Sequence, residues 1–366
     1  MRWYGLARRA ITRILACAWM FALPLSANAA LQPKQLGIVV NDADELSVAI
    51  GKYYAERRNI PNENIIHVNF RHDHPVLDSP TFNAIYKQVK SKSHDGLQAY
   101  ALTWARPYRV DCMSITAAFT FGYAPRYCAS GCKATAPNPY YDSSSRAPMT
   151  DHRMRPTISI AATTLENAKF LIERGIQSDF TTPNARAYLV VTNDKVRSTR
   201  APYFPGTKLR LSTQIPVTIE HSQGLHNKFD IMFYFTGIAH VPHLDSIGFL
   251  PGAMADHLTS AGGQLPESSQ MSALRWLEAG ATGSYGTVVE PCNFPQKFPQ
   301  ADIAMKHYLD GDTLIEAYWK SVRWPGQGIF IGEPLAKPYA VQSAIKPRTG
   351  VIMPVDEGPR VVAKSR

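Results

Sequence analysis

The sequence lacks the features by which membrane proteins, repeat proteins and small disulfide-built proteins are recognised. Its 366 residues hold five cysteines and no internal repeat. No apolar run reaches the roughly 20 residues that a membrane-spanning helix needs. Because 45% of the residues are apolar, the chain can bury a sizeable core. These features predict a globular protein, built as one large α/β domain or as two domains of average size.

Strong charge is also missing from the body of the chain. The formal charge of the whole sequence is +10, but four basic residues and no acidic ones lie in residues 1–30, and five basic residues against two acidic ones lie in residues 341–366. The remaining charge on residues 31–340 is only +3. A nucleic-acid-binding surface normally needs a much stronger basic excess, so we expect no nucleic-acid partner.

The first 30 residues have the layout of a cleaved Sec-type signal peptide. Arginines precede an apolar run of about 12 residues, which leads to Ala27, Asn28 and Ala29. A membrane anchor is the weaker interpretation because the run is short, and a lipoprotein modified at Cys17 is weaker because Arg13 leaves little apolar sequence before it. We therefore expect an exported protein, periplasmic or extracellular, with no transmembrane span in the mature chain.

Export predicts disulfide bonds among the four cysteines outside the signal peptide, which are Cys112, Cys128, Cys132 and Cys292. Three pairings are possible, and spacing does not select one. We expect Cys128 and Cys132 to join their loop to itself or to Cys112, which would leave Cys292 as an unpaired, reactive thiol. A zinc site is the alternative, but no second metal-binding pair lies at a suitable distance.

Strand-like and helix-like segments alternate along the chain, as a parallel sheet with helical crossovers requires. The strand-like segments are 37–41, 64–70, 97–104, 157–163, 185–194, 215–221, 230–237, 284–289 and 328–334. The helix-like segments are 42–59, 79–92, 114–122, 165–179, 252–261, 271–280, 301–309 and 313–322. The order predicts an α/β fold with a mainly parallel sheet flanked by helices, a three-layer sandwich of caspase-like or flavodoxin-like character.

The predicted organisation is a signal peptide over residues 1–30, a single α/β domain over 31–340 and a mobile basic tail over 341–366. A polar, Pro-rich insertion interrupts the domain at about residues 123–155. Within the domain, we expect the helix at 165–179 to be closed by Gly175. Sites in open α/β sheets lie beyond the carboxyl ends of strands, so we expect Gly237, Gly252 and Glu290 to mark strand ends near a site.

Reactive residue types are concentrated in the segment 252–261, where Asp256, His257 and Ser260 follow one another closely. On a helix, Ser260 would lie near both other residues, but Asp256 and His257 would point about 100° apart. A hydrolase triad needs the histidine between the other two groups. The segment can therefore offer an acid or base only to a nucleophile from another element. The structural alternative gives Asp256 a capping role and His257 a buried hydrogen bond.

Other chemistries are less well supported. His240, His243, Asp245 and His257 contain ligand types for zinc or manganese, but Pro242 indicates a loop and the spacing matches no strong metal motif. Cys292 with a histidine could act as a nucleophile, with Glu290 two residues before it. The glycine-rich segment 280–286 lacks the lysine of a phosphate-binding loop. We therefore predict no metal and no cofactor, and we take Asp256, His257 and Glu290 as the candidate catalytic residues.

Several long motifs are similar to an uncharacterised family of exported bacterial proteins, which is known mainly from genomes that carry exosortase sorting systems. The similarity extends over about residues 37–339. Its motifs include GIVVNDADELSVAIGKYYAERRNIPNENII, PGAMADHLTS, LRWLEAGATGSYGTVVEPC and GQGIFIGEPLAKPY. The resemblance implies an exported protein but no particular activity.

The chain also resembles the caspase-like sheet of gingipain-type cysteine peptidases. In those enzymes one strand ends in Tyr-Thr-Gly-His-Gly, the next ends in the nucleophilic Cys, and a Gly-Asp-Pro segment closes the domain. Here Tyr234 to Gly237 match the first element, with Ile238 in place of the histidine, and Gly332 to Pro334 match the last. The second element resembles Phe249 to Ala253, which contains no cysteine. Both members of the catalytic dyad are thus missing.

These features leave two hypotheses about function. The first is a non-catalytic binding or assembly factor on a peptidase-like scaffold, with exported or surface proteins or envelope polymers as partners. The second is a hydrolase of the peptidase or esterase type, in which His257 acts as a base with a partner from another element. We favour the first because no complete catalytic set can be assembled from neighbouring residues.

Overall fold

The computed structural model describes residues 30–129 and 132–342 of the chain. Almost all of the predicted signal peptide and of the predicted mobile tail, as well as Cys17, lies outside the described residues. Among the described residues, no helix is both long and apolar enough to cross a membrane. A ten-stranded sheet organises the core of the described residues.

Thirteen strands form this large sheet and a second, three-stranded one within the described residues. They are β1 (Leu36–Asn41), β2 (Ile65–Val68), β3 (Val76–Leu77), β4 (Ala99–Leu102), β5 (Arg109–Val110), β6 (Met113–Ser114), β7 (Thr157–Ser159), β8 (Arg186–Val191), β9 (Val217–His221), β10 (Ile231–Gly237), β11 (Phe249–Leu258), β12 (Gly283–Thr287) and β13 (Gly328–Gly332). The small sheet contains β3, β5 and β6, and the other ten strands form the large one. Most of those ten are buried throughout their length, as strands covered on both faces must be.

Nine α-helices of the described residues surround the sheets. They are α1 (Glu45–Arg58), α2 (Ser79–Lys92), α3 (Ile115–Phe121), α4 (Pro148–His152), α5 (Leu165–Ser178), α6 (Phe204–Leu211), α7 (Leu274–Glu278), α8 (Ala301–Leu309) and α9 (Leu314–Ser321). The side chains of Asp44, Asp78 and Thr164 accept backbone hydrogen bonds at the starts of α1, α2 and α5. Helix α1 packs against α5, while α6, α8 and α9 pack together.

The large sheet consists of two half-sheets with the same topology. Its strand order is β2-β1-β4-β7-β13-β12-β11-β10-β8-β9. We call β2-β1-β4-β7-β13 the first half-sheet and β12-β11-β10-β8-β9 the second half-sheet. All neighbouring strands are parallel except β12 and β13, which are antiparallel and join the two. The prediction of a mainly parallel, three-layer α/β fold is confirmed.

The antiparallel joint has a geometric consequence for any site. Each half-sheet, with its strands numbered in chain order, has the flavodoxin-like order 2-1-3-4-5. Because the two halves run in opposite directions, their carboxyl ends lie at opposite edges of the large sheet. The protein therefore has two carboxyl edges, one for each half-sheet, where a parallel α/β sheet normally has one.

One predicted helix is wrong, and it is the segment that carries the candidate site. Residues 252–261 do not form a helix, because β11 runs from Phe249 to Leu258 and pairs in parallel with β10. From Gly252 to Leu258 every residue is buried. A run that is buried on all sides has no polar face, so its periodicity cannot separate a central strand from a buried helix.

The predicted end of α5 at Gly175 is also wrong, since the helix continues to Ser178. A Cβ atom at Gly175 would lie 2.6 Å from Cγ of Glu333, which is fully buried. Glycine therefore allows close packing inside this helix, where the sequence suggested a stop signal.

The described cysteines form two disulfide bonds, one that joins the insertion to Cys112, as one of the expected alternatives had it, and one between distant segments. Cys112 pairs with Cys128 with their Cα atoms 5.3 Å apart, and Cys132 pairs with Cys292 at 5.4 Å. The expectation that Cys292 is unpaired is wrong, because the loop after β12 reaches the insertion. Sequence spacing could not reveal a contact between residues 160 positions apart.

Candidate functional site

The site predicted from the sequence lies at the carboxyl edge of the second half-sheet. Gly237 is the last residue of β10, and Glu290 lies three residues after β12. Gly252 was expected at a strand end, but it lies near the start of β11 with a φ of 91°, where the register between β10 and β11 shifts. It marks an irregularity at the opposite end of the strand.

Asp256 is buried in β11 and forms an ion pair with a buried arginine. One of its carboxylate oxygens lies 2.6 Å from Nη2 of Arg200. Arg200 also donates hydrogen bonds to the carbonyl oxygens of Thr236 (2.5 Å) and Pro299 (3.0 Å). Burial raises the pKa of Asp256 above its usual value, and the charge of Arg200 opposes that rise. The carboxylate of Asp256 is thus the counter-ion of the buried Arg200.

His257 is buried, and both of its ring nitrogens have partners. Nε2 lies 3.0 Å from the carbonyl oxygen of Met271, to which it donates, and Nδ1 accepts a hydrogen bond of 2.9 Å from Nε1 of Trp276. This arrangement requires a neutral ring with its proton on Nε2. Burial lowers the pKa of His257 to about 3. The ring is neutral at ordinary pH, and neither nitrogen is directed toward a nucleophile.

The candidate residues are not brought into one cluster. Asp256 and His257 are neighbours in a strand, so their side chains point to opposite faces of the sheet. Glu290 is exposed and accepts a hydrogen bond of 2.7 Å from the backbone nitrogen of Cys292. Within the described part of the chain, no hydrogen bond or ion pair joins Glu290 to either of the other two. Their catalytic roles remain predictions.

Two chain segments cover the carboxyl edge of the second half-sheet. The first, residues 192–203, crosses the end of β10 so closely that a Cβ atom at Gly237 would overlap the carbonyl oxygen of Arg197. The second, residues 259–273, crosses β12, where a Cβ atom at Gly263 would overlap the carbonyl oxygen of Gly286. Glycine at these crossings removes the side chain that would otherwise hold the covering segments away.

Side chains from the two covering segments bind each other. Arg197 pairs with Asp194 at 2.8 Å and donates a hydrogen bond of 3.1 Å from Nε to the hydroxyl of Thr259. Thr259 in turn donates to Oε1 of Gln270 at 2.5 Å, and the same oxygen accepts from the backbone nitrogen of Ala261. These polar groups therefore satisfy one another and close the edge. The sequence did not reveal this network because its members come from two loops that are distant along the chain.

The end of β11 lies further along the chain than the resemblance to gingipain-type peptidases implied, so a nucleophile after this strand would also lie further along. The gingipain-type resemblance placed this strand end at Phe249 to Ala253, but β11 continues to Leu258. Thr259 and Ser260 therefore follow the strand. The hydroxyl of Thr259 is engaged by Arg197 and Gln270, and Ile238 follows β10 where the peptidases have histidine.

Cys292 and the loop histidines are engaged with other residues. Cys292 has no free thiol, since it is bonded to Cys132. The ring of His243 lies against that of His226, with centroids 3.6 Å apart and the ring planes tilted by 35°. Across residues 30–129 and 132–342, no group of three or more His, Cys, Asp or Glu side chains could hold a metal ion.

A polar depression of about 400 Å³ lies beside the closed edge. Its lining includes His240, Glu267, Ser268, Gln270 and Arg275. Ser268 accepts a hydrogen bond of 3.1 Å from the backbone nitrogen of Gln270, and the described contacts include none between Ser268 and His240. The depression offers hydrogen-bonding groups to a bound molecule but no prearranged serine and base.

Comparisons with known proteins identify no family. No family model matches the chain, and no curated protein matches it in sequence. Among solved structures, the chain is similar to one described as a protease, with a TM-score of 0.39 and 9% identity, over 84% of this chain and 79% of the other. A similarity of this degree carries no argument about activity.

Proposed function

We propose that the protein is an exported, non-catalytic binding or assembly factor. The observation that carries this proposal is the closed carboxyl edge of the second half-sheet, where His257 has both ring nitrogens engaged. A general base needs a free nitrogen within hydrogen-bonding distance of the proton it removes. In this proposal Asp256 and His257 have structural roles, because they join β11 to the elements that pack on its two faces.

Export is supported by the two disulfide bonds, because such bonds persist mainly in oxidising compartments. The amino-terminal sequence adds the layout of a Sec signal. The proposed partners are exported or surface proteins, or polymers of the cell envelope. This choice rests on the compartment, and the polar depression beside the edge supplies groups that suit a polar partner.

A hydrolase assay tests the proposal directly. The chain from residue 31 onward is incubated with libraries of quenched peptides and of p-nitrophenyl esters, and we expect no turnover above that of buffer. Turnover that disappears in His257→Gln but persists in His72→Gln, a variant at an exposed histidine, would contradict the proposal and favour the hydrolase. Turnover that both variants retain would also contradict it and would place the catalytic residues elsewhere.

A binding assay tests the positive part of the proposal. Purified peptidoglycan and purified acidic exopolysaccharide are sedimented with the chain 31–366 and with the chain 31–342, which lacks most of the basic tail. We expect saturable binding that both chains share. Binding by the longer chain alone would assign it to the tail, and binding by neither would exclude these polymers and leave exported proteins, tested by crosslinking in intact cells.

A further inference from the structure

A cavity of about 310 Å³ lies at the carboxyl edge of the first half-sheet, between α5 and α7. It begins at residues 161–163, which follow β7. Apolar side chains form much of its wall, including Phe170, Leu171, Leu274 and Leu277. The cavity begins beside the carboxyl end of β7 and extends along α5, and its volume is near the lower end of the range of about 300–1,000 Å³ for small-molecule sites.

The cavity is lined by an arginine that has no acidic partner. Nη2 of Arg174 donates to the carbonyl oxygens of Leu277 (2.6 Å) and Ala281 (2.7 Å), but Nε is buried and has no hydrogen-bond partner among the described residues. Burial, with no opposing carboxylate, lowers the pKa of Arg174 to about 10, so the group is still a cation at neutral pH. Arg174 is half-buried, and a partly desolvated cation is normally paired with an anion.

Two glutamates also line the cavity, but each already has its own cation. Glu173 binds Nε and Nη2 of Arg57 at 2.5 and 2.6 Å and accepts a hydrogen bond from Tyr53. Glu278 pairs with Arg275 at 2.5 Å. Neither glutamate forms an ion pair with Arg174. The unbalanced charge on the cavity wall is therefore the positive charge of Arg174.

We propose that this cavity binds a carboxylate joined to a small apolar group, with the carboxylate on Arg174. Nη2 of Arg174 already donates to two carbonyl oxygens, so the carboxylate would accept a charge-assisted hydrogen bond from Nη1, which donates to no described residue. The apolar group would lie against Phe170, which is 60% exposed, and against the leucines of α7. The inference goes beyond the proposed function and does not depend on it, because the cavity lies at the opposite edge from His257.

Two sources share this chemistry, and they can be separated. One is a free branched-chain or aromatic acid, and the other is the carboxyl terminus of a peptide that ends in an apolar residue. Isothermal titration of 4-methylpentanoate tests the first, and titration of the peptide Ala-Ala-Leu tests the second. The amides of both compounds serve as uncharged analogues. We expect at least one acid to bind saturably and its amide to bind about tenfold or more weakly, since charge-assisted hydrogen bonds are lost.

Variants assign the binding to the cavity. Arg174→Gln should abolish the preference for acid over amide, but it also removes hydrogen bonds to the end of α7. Phe170→Glu avoids that problem because the site is exposed, and its carboxylate would lie one turn before Arg174 and occupy the guanidinium. Phe229→Glu is the matched control, at a phenylalanine that is 67% exposed and does not line this cavity.

We expect Phe170→Glu to weaken acid binding at least tenfold and Phe229→Glu to leave it unchanged. The proposal is overturned if neither acid binds saturably, if acid and amide bind equally, or if Phe170→Glu binds like the unaltered chain. Equal loss in both phenylalanine variants would also overturn it, because the effect would then be one of general charge.

Discussion

The two half-sheets share one strand order, but loops cover the carboxyl edge of the second half-sheet and leave a cavity beside that of the first. In the second half-sheet, the segments 192–203 and 259–273 cross the strand ends and their polar side chains bind one another. In the first half-sheet, the chain after β7 turns into α5 and leaves a cavity of about 310 Å³ beside it. Among the described residues, the loops thus cover the strand ends at one edge and leave a cavity beside the other.

Two arginines show the same difference. Arg200, which is buried at the second half-sheet, lies 2.6 Å from the carboxylate of Asp256, whereas the half-buried Arg174 beside the first half-sheet donates to the backbone carbonyl groups of Leu277 and Ala281 and has no acidic partner among the described residues. A cation that is neutralised inside the fold contributes to structure, while one that faces a cavity without a counter-ion is available to a ligand. The comparison therefore separates a structural charge from a candidate binding charge.

The largest expected effect concerns the covalent link between the half-sheets. The bond Cys132–Cys292 joins residues 160 positions apart, while Cys112–Cys128 joins residues 16 apart. In the chain-entropy model, the first closes a loop worth about 5 kcal/mol and the second about 3 kcal/mol. Urea unfolding should show a greater loss in Cys132→Ser/Cys292→Ser than in Cys112→Ser/Cys128→Ser. Equal losses would mean that the loop lengths do not decide the difference.

The next prediction tests whether Asp256 is needed to neutralise the buried charge of Arg200. Replacement Asp256→Ala leaves a buried cation unpaired and should lower the free energy of unfolding by about 3–5 kcal/mol. The control Asp73→Ala removes an exposed carboxylate that pairs with Arg71, and it should leave the free energy of unfolding nearly unchanged. A loss of the same size in both variants would show that burial does not distinguish the two pairs.

The covered edge can be opened at Gly237. Because a Cβ atom there would overlap the carbonyl oxygen of Arg197, Gly237→Ala should destabilise the protein by about 1–3 kcal/mol through displacement of the covering segment. Gly206 lies inside α6 with only the flexible Arg210 side chain near it, so Gly206→Ala should instead stabilise by about 0.5–1 kcal/mol. Unfolding curves give the change in the free energy of unfolding for each variant. The two changes should have opposite signs, and equal signs would contradict the prediction.

The smallest effect is the pH dependence that His257 confers. Its pKa is about 3 in the folded protein and 6.5 without the fold, so below pH 6.5 the unfolded chain binds a proton that the folded chain does not. Stability is lost as the pH falls, and this group contributes a loss of about 2 kcal/mol between pH 7 and pH 5. That loss should be absent in His257→Gln and present in His72→Gln. Parallel pH profiles for both variants would refute the assignment.

Local sequence signals predicted most elements because their causes are local. Helix α2 matches its predicted range of 79–92, since Asp78 caps its first turn and Phe82, Ile85 and Val89 supply one apolar face. The failures have non-local causes. The segment 249–258 forms strand β11 because β10 and β12 lie beside it. Residue 175 must be small because the side chain of Glu333, more than 150 residues away, packs against it.

The candidate sites were harder to predict than the fold. Sequence analysis marked Asp256 and His257 as unusual residues, and the structure supplies their partners, Arg200, Met271 and Trp276, all from other elements. Nothing in the sequence around Arg174 distinguishes it from an ordinary surface arginine of an amphipathic helix. Its isolation depends on α7, about one hundred residues further along the chain, which provides carbonyl groups but no carboxylate partner.

The antiparallel joint also sets the order in which the protein can be completed during synthesis. The first half-sheet begins with β1 at Leu36, but its fifth strand, β13, is made only at residues 328–332. Until the ribosome has passed those residues, β7 remains an unpaired strand edge, and the second half-sheet has no partner for β12. Neither half can be completed alone, so a chain truncated before Gly328 should expose two strand edges.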